Sequence, residues 1–93
     1  VRFVVLERGA SVDDGGLASR AARCGVTVLA REVVRPSETA TTVLRRLALD
    51  RPSDEGDGPL AGVLLLDAPD LDAVLDVLPD TATGAFEVRP VAG

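Results

Sequence analysis

A length of 93 residues and a mass of 9.6 kDa set one domain as the expectation and argue against a second independent core. The net charge of −5 disfavours binding to a phosphate backbone, and the absence of His beside a single Cys removes an imidazole base, a His-ligated metal and a thiolate zinc site. Lys, Ile, Asn, Gln, Met, Tyr and Trp are missing as well, the composition of a very GC-rich genome and actinobacterial by preference, so carboxylates, Arg, Ser, Thr and Cys24 are left for chemistry.

Arg2 to Glu7 is a short β-branched and apolar run closed by Gly9, and it reads as a strand buried on at least one face. Ser11 can cap a helix with Asp13 and Asp14 in its first turn and Leu17, Ala18, Ala21, Ala22 and Cys24 as a weak apolar stripe. Gly15 and Gly16 each cost about 1 kcal/mol inside a helix, so the helix is expected to start after them, and Gly25 is its stop. Val26 to Val34 reads as the second strand, with Val26, Val28 and Ala30 alternating against Thr27, Leu29 and Arg31. Over residues 37–50 the apolar positions Ala40, Val43, Leu44, Leu47 and Ala48 fall at helical spacing, yet Thr41-Thr42-Val43 favours extended chain. Asp50 to Pro59 is too polar and too rich in Gly and Pro for regular structure, and reads as a loop.

Gly62 to Leu66 is a continuous apolar strand of the central kind. Asp67 or Asp70 then caps a short helix in which Leu71, Val74, Leu75 and Leu78 keep one face, Asp72 and Asp76 face water, and Pro79 ends the run. The last strand, Gly84 to Arg89, puts Phe86 and Val88 on one face and Glu87 and Arg89 on the other. The order β-α-β, a debatable segment, then β-α-β is the split βαβ pattern of an α+β, ferredoxin-like fold: a four-stranded antiparallel sheet with two helices on one face. Val63 to Leu66 make the third strand apolar on both sides, and a second subunit packing sheet to sheet is the simplest cover for the other face.

Residues 1–46 carry eight Arg and five acids, residues 47–93 two Arg and ten acids; the plain reading is solvated faces, and the alternative is a dimer that sets a basic half against an acidic one. With Phe3 and Phe86 as the only aromatics there is no base-stacking platform, and no nucleic acid is expected. A lone Cys24 makes no internal disulfide and the first residues lack a secretory pattern, so a cytoplasmic setting is the expectation. The longest strongly apolar run, Val63 to Leu66, is far short of a membrane span, and no membrane is expected.

Four stretches occur in the order found in the YCII-related domains of the Asp-Gly-Pro-Phe branch: Pro36 to Val43, Asp57-Gly58-Pro59-Leu60, Pro69 to Ala73, and Gly84 to Val91. The chain resembles that family over roughly residues 34–91, and the closing Glu87-Val88-Arg89-Pro90-Val91 is the most specific piece. The resemblance implies a ferredoxin-like fold that dimerises as an α/β barrel, and it favours an extended segment over residues 37–50. Leu60 replaces the signature Phe, the acidic, Lys-containing stretch that usually follows is missing, and the His used by enzymatic relatives has no counterpart.

The candidate catalytic residues are Asp57, Arg89 and Arg45. Asp57 lies between glycines, where an Asp commonly bonds its own backbone two residues on; the functional alternative is a carboxylate at the barrel mouth acting as general base. Arg45, Arg46 and Arg89 are candidates to bind a substrate carboxylate or stabilise an enolate. Arg89 and Glu87 share a face but project in parallel, so the structural reading of Arg89 is an ion pair with a neighbouring strand or the second subunit rather than with Glu87. Cys24 is read as a packing residue. No phosphate loop, dinucleotide fingerprint or metal motif is present, and no cofactor is expected. By exclusion, the leading expectation is a cofactor-independent lyase, isomerase or cyclase acting on a small organic acid or polyketide-type intermediate in a biosynthetic pathway. The alternative is a non-catalytic accessory or regulatory ligand-binding module.

Overall fold

The computed structural model describes residues 1–9, 16–44, 47–49, 58–78 and 85–92. Along the chain these form β1 (Arg2–Arg8), α1 (Leu17–Arg23), β2 (Thr27–Val33), a 3-10 turn (Ser37–Thr39), β3 (Thr42–Leu44), β4 (Leu47–Leu49), β5 (Leu60–Asp67), α2 (Leu71–Val77) and β6 (Ala85–Pro90). One sheet has the order β2-β5-β1-β6 with every neighbouring pair antiparallel, and β3 pairs with β4 in a separate two-stranded sheet. A helix follows β1 and another follows β5, and these two strands are antiparallel neighbours at the centre of the sheet. That is the split βαβ arrangement, an α+β architecture compatible with the ferredoxin-like fold.

Alternation along β1 and β5 sorts their side chains. Phe3 and Val5 lie opposite Leu66 and Leu64, and all four are buried with Leu17 and Ala21 of α1 and Val74 and Val77 of α2. Burial of each such leucine contributes about 1.5–3 kcal/mol. The intervening residues, Val4 and Leu6 of β1 with Val63 and Leu65 of β5, are half-buried and stand outside this core. Phe86 and Val88 of β6 pack against the core while Glu87 and Arg89 take the opposite face, as the alternation predicts.

The helices differ from expectation in which sides they bury. Helix α1 starts after the glycine pair, with Gly16 at its N-cap, and the chain leaves it through Gly25 at φ +70°, a left-handed value. Ser11, Asp13 and Asp14 lie outside the described residues. Leu17 and Ala21 are buried and Cys24 packs against them, but Ala18 and Ala22 are exposed, so the stripe is narrower than the composition suggests. In α2 the expected face is turned by part of a residue step: Val74 is buried and Leu78 packs against the core as expected, but Val77 and Ala73 join them on the inner side while Leu71 and Leu75 are exposed.

Asp70, not Asp67, caps α2, its carboxylate accepting from the Ala73 N–H at 2.9 Å. Asp70→Ala is expected to cost about 1 kcal/mol of unfolding free energy, and urea denaturation showing no shift in midpoint would deny the cap its role.

Two segments depart from regular alternation or from the expected spacing. In β2 the register slips between Val28 and Ala30, so the chain passes Leu29 as an extra residue. Beyond this bulge the alternation inverts: Ala30, expected beside Val28, is exposed, and Arg31 turns to the helix side opposite Leu64. Over the described residues of 37–50 the helical spacing is not realised; a 3-10 turn is followed by β3, which pairs antiparallel with β4, consistent with the β-branched Thr41-Thr42-Val43 run. No described helix is long and apolar enough to cross a membrane.

Candidate functional site

Of the expected site residues, Asp57 and Arg45 lie outside the described residues, as does Arg46. Arg89 is on the edge strand β6, on the face turned away from the helices. Its Nε donates to Glu87 Oε2 at 2.7 Å, the pairing that parallel projection had excluded. Same-face neighbours on a strand are only about 6.6 Å apart at Cα, and the long Arg side chain of an exposed edge strand bends along the strand to reach the carboxylate. Arg89 is therefore an ion-pair partner on the rim of the outer sheet face, where pairs of this kind contribute about 0–1 kcal/mol.

The part of the signature stretch that is described, Gly58-Pro59-Leu60, is fastened to the end of β1. The Gly9 N–H donates to the Pro59 carbonyl at 2.8 Å, and Leu60 is the register partner of Arg8. Gly9 and Gly58 both take left-handed φ values, +83° and +99°. A Cβ on Gly58 would meet the Gly9 backbone at 3.5 Å, so here the two chain segments run against each other as bare backbone. The β1–β5 register shifts between Glu7 and Arg8, where β5 contributes the extra residue Ala61.

At this corner sits a carboxylate that no sequence motif marks. Glu7 is the one polar residue in the fully buried set among the described residues, on the core side of β1 between Gly62 of β5 and Phe86 of β6. A Cβ on Gly62 would stand 2.8 Å from Glu7 Oε2 and 3.2 Å from its Cδ, and 3.0 Å from the Glu32 carbonyl oxygen. The missing side chain of residue 62 is thus the space the carboxylate occupies. Arg31, re-aimed by the β2 bulge, lies on the same side of the sheet, with a buried Nε that donates no hydrogen bond. The signal for Glu7 was present in the alternation Phe3, Val5, Glu7, which carries a charge into the third inward position. Arg31 gave none, since the bulge that turns it inward has no residue signature.

The other place with chemistry is the outer face of the sheet. Val4, Leu6, Val63 and Leu65 form its centre; Arg2, Arg8, Glu32, Asp67 and the Glu87–Arg89 pair ring it, by the register of the four strands. A cleft of about 400 Å³ at one end of the sheet is lined by Val1, Arg2, Asp67 and Val91. Among the described residues no group of three or more carboxylate, thiol or imidazole ligands converges on a metal position. Comparison with protein-family models, with curated proteins and with solved structures returns no match in any of the three.

Proposed function

We propose that the protein is a homodimeric ligand-binding module of the YCII-related kind, its two copies joined through the outer faces of their sheets around a small organic acid. One observation carries this reading: the apolar centre Val4, Leu6, Val63 and Leu65 stands outside the core and keeps residual exposure on the side of the sheet opposite the helices. An apolar block with a charged margin has the anatomy of a protein interface. Arg2 and Arg8 at its two ends supply guanidinium groups for a carboxylate ligand, a geometry Arg suits by its planar fork.

The accessory reading stands ahead of the catalytic one because Arg89, expected to stabilise an enolate, is instead engaged by Glu87 on an exposed edge. The cofactor-independent lyase, isomerase or cyclase remains as the second reading, favoured by the buried Glu7 carboxylate beside the fastened Gly58-Pro59 corner, since buried carboxylates recur where proton transfer is carried out. Sedimentation velocity at micromolar concentration is expected to give at least twice the 9.6 kDa chain mass. A single species at the chain mass would sink the dimer and with it the enclosed ligand site.

A further inference from the structure

We propose that the helix layer is a second self-association surface, on which α1 of one copy lies over α2 of another about a two-fold axis parallel to the helices. The proposal is independent of the sheet-face pairing and uses the opposite side of the molecule.

Helix α2 leaves two leucines outside. Leu71 and Leu75 are 48% and 53% exposed, and at a spacing of four they stand one above the other on a single face. Asp72 and Asp76, one position on, form an acidic row beside them. Helix α1 shows the complementary pattern at the same spacing: Ala18 and Ala22 are exposed and leave a flat strip, flanked by Ser19 and Arg23. Large apolar side chains on one helix and a shallow strip on the other are what close helix packing requires. Among the described residues Arg23, Asp72 and Asp76 take part in no ion pair within the chain.

The two helices are neighbours in the layer. Arg20 Nε donates to the Val77 carbonyl at 2.9 Å, which ties the middle of α1 to the C-terminal end of α2. They follow antiparallel strands, so they run antiparallel, and the Arg23 end of α1 lies level with the Leu71 end of α2. Rotation about an axis along the helices carries α1 onto the position above α2 without changing level. Ala22 of one copy then faces Leu71 of the other, Ala18 faces Leu75, and Arg23 meets Asp72; the same contacts recur on the other side of the axis. This self-complementarity identifies the occupant as a second copy: a foreign helix would match one half of the surface, whereas a two-fold operation satisfies both halves at once.

The test is a charge swap read by sedimentation velocity at low salt. Arg23→Asp alone and Asp72→Arg alone each place like charges opposite one another twice, and each is expected to weaken association by about tenfold or more relative to wild type. Mixing the two variants creates a hetero-pair in which both contacts again join opposite charges, and association is expected to return. Leu75→Ser, a change at an exposed position, is expected to weaken association at any salt. Circular dichroism of each variant matching wild type establishes that the helices are intact. If the sheet faces pair, the change is from a larger assembly to a dimer; if they do not, it is from a dimer to a monomer. Single variants that associate like wild type, or a mixture that associates no better than its components, would overturn the proposal.

Discussion

Gly62→Val is expected to destabilise the protein by about 2–3 kcal/mol, a large part of the roughly 5–14 kcal/mol available to a domain of this length. The substituted Cβ would stand 2.8 Å from Glu7 Oε2, a distance real Cβ contacts do not reach, and 3.0 Å from the Glu32 carbonyl oxygen. The fully buried carboxylate has little space to retreat, and β2 is held to β5 by the ladder that includes Val33 and Gly62. A double-mutant cycle separates the two contacts. In a Glu7→Ala background the carboxylate is gone, and Gly62→Ala should cost much less than in wild type while keeping the part due to the β2 backbone. Denaturant unfolding gives both terms, and strict additivity of the two substitutions would show that the carboxylate does not occupy the space above Gly62.

The same corner shows what could be learned from the residues and what could not. The β-branched and apolar runs of Arg2 to Glu7 and of Gly62 to Leu66, with two short helical stretches between strands, are enough to reach the sheet, its two helices and the split βαβ order. Which side each helix would bury was not readable. Leu71 and Leu75 match an inward stripe as well as Val74 and Val77 do, because in so short a helix the spacing alone allows either rotation about the axis. The inversion after Leu29 was equally hidden, because a bulge adds one residue without leaving a Gly or Pro to mark it. Glu7 was legible in principle, as a charge in an inward register position opposite a glycine. For the candidate site, Arg89 was placed on the correct face but assigned the wrong partner: strand geometry fixes where Cβ points, while a long exposed side chain bends back along its own strand.

The second large effect is expected from Leu65→Asp. Leu65 lies opposite Val4 at the centre of the outer face and is half-buried in the single chain, so a carboxylate there has access to water and the monomer should fold with its core unchanged. In a sheet-to-sheet dimer the same carboxylate would be carried into the middle of an apolar interface, opposite its own symmetry mate or the valines beside it. Removing a charge from water without a partner costs several kcal/mol, enough to reduce association by more than about a hundredfold. Two measurements made in a Leu75→Ser background, where the proposed helix-face contact is removed, make the result specific to this face. The Leu75→Ser chain should sediment as a dimer and show a melting temperature that rises with protein concentration, because association stabilises the folded chain by mass action. Leu65→Asp in that background should sediment at the chain mass with a melting temperature independent of concentration. A variant that stays dimeric would show that the outer face is not the interface, and the apolar centre of Val4, Leu6, Val63 and Leu65 would then need a different cover.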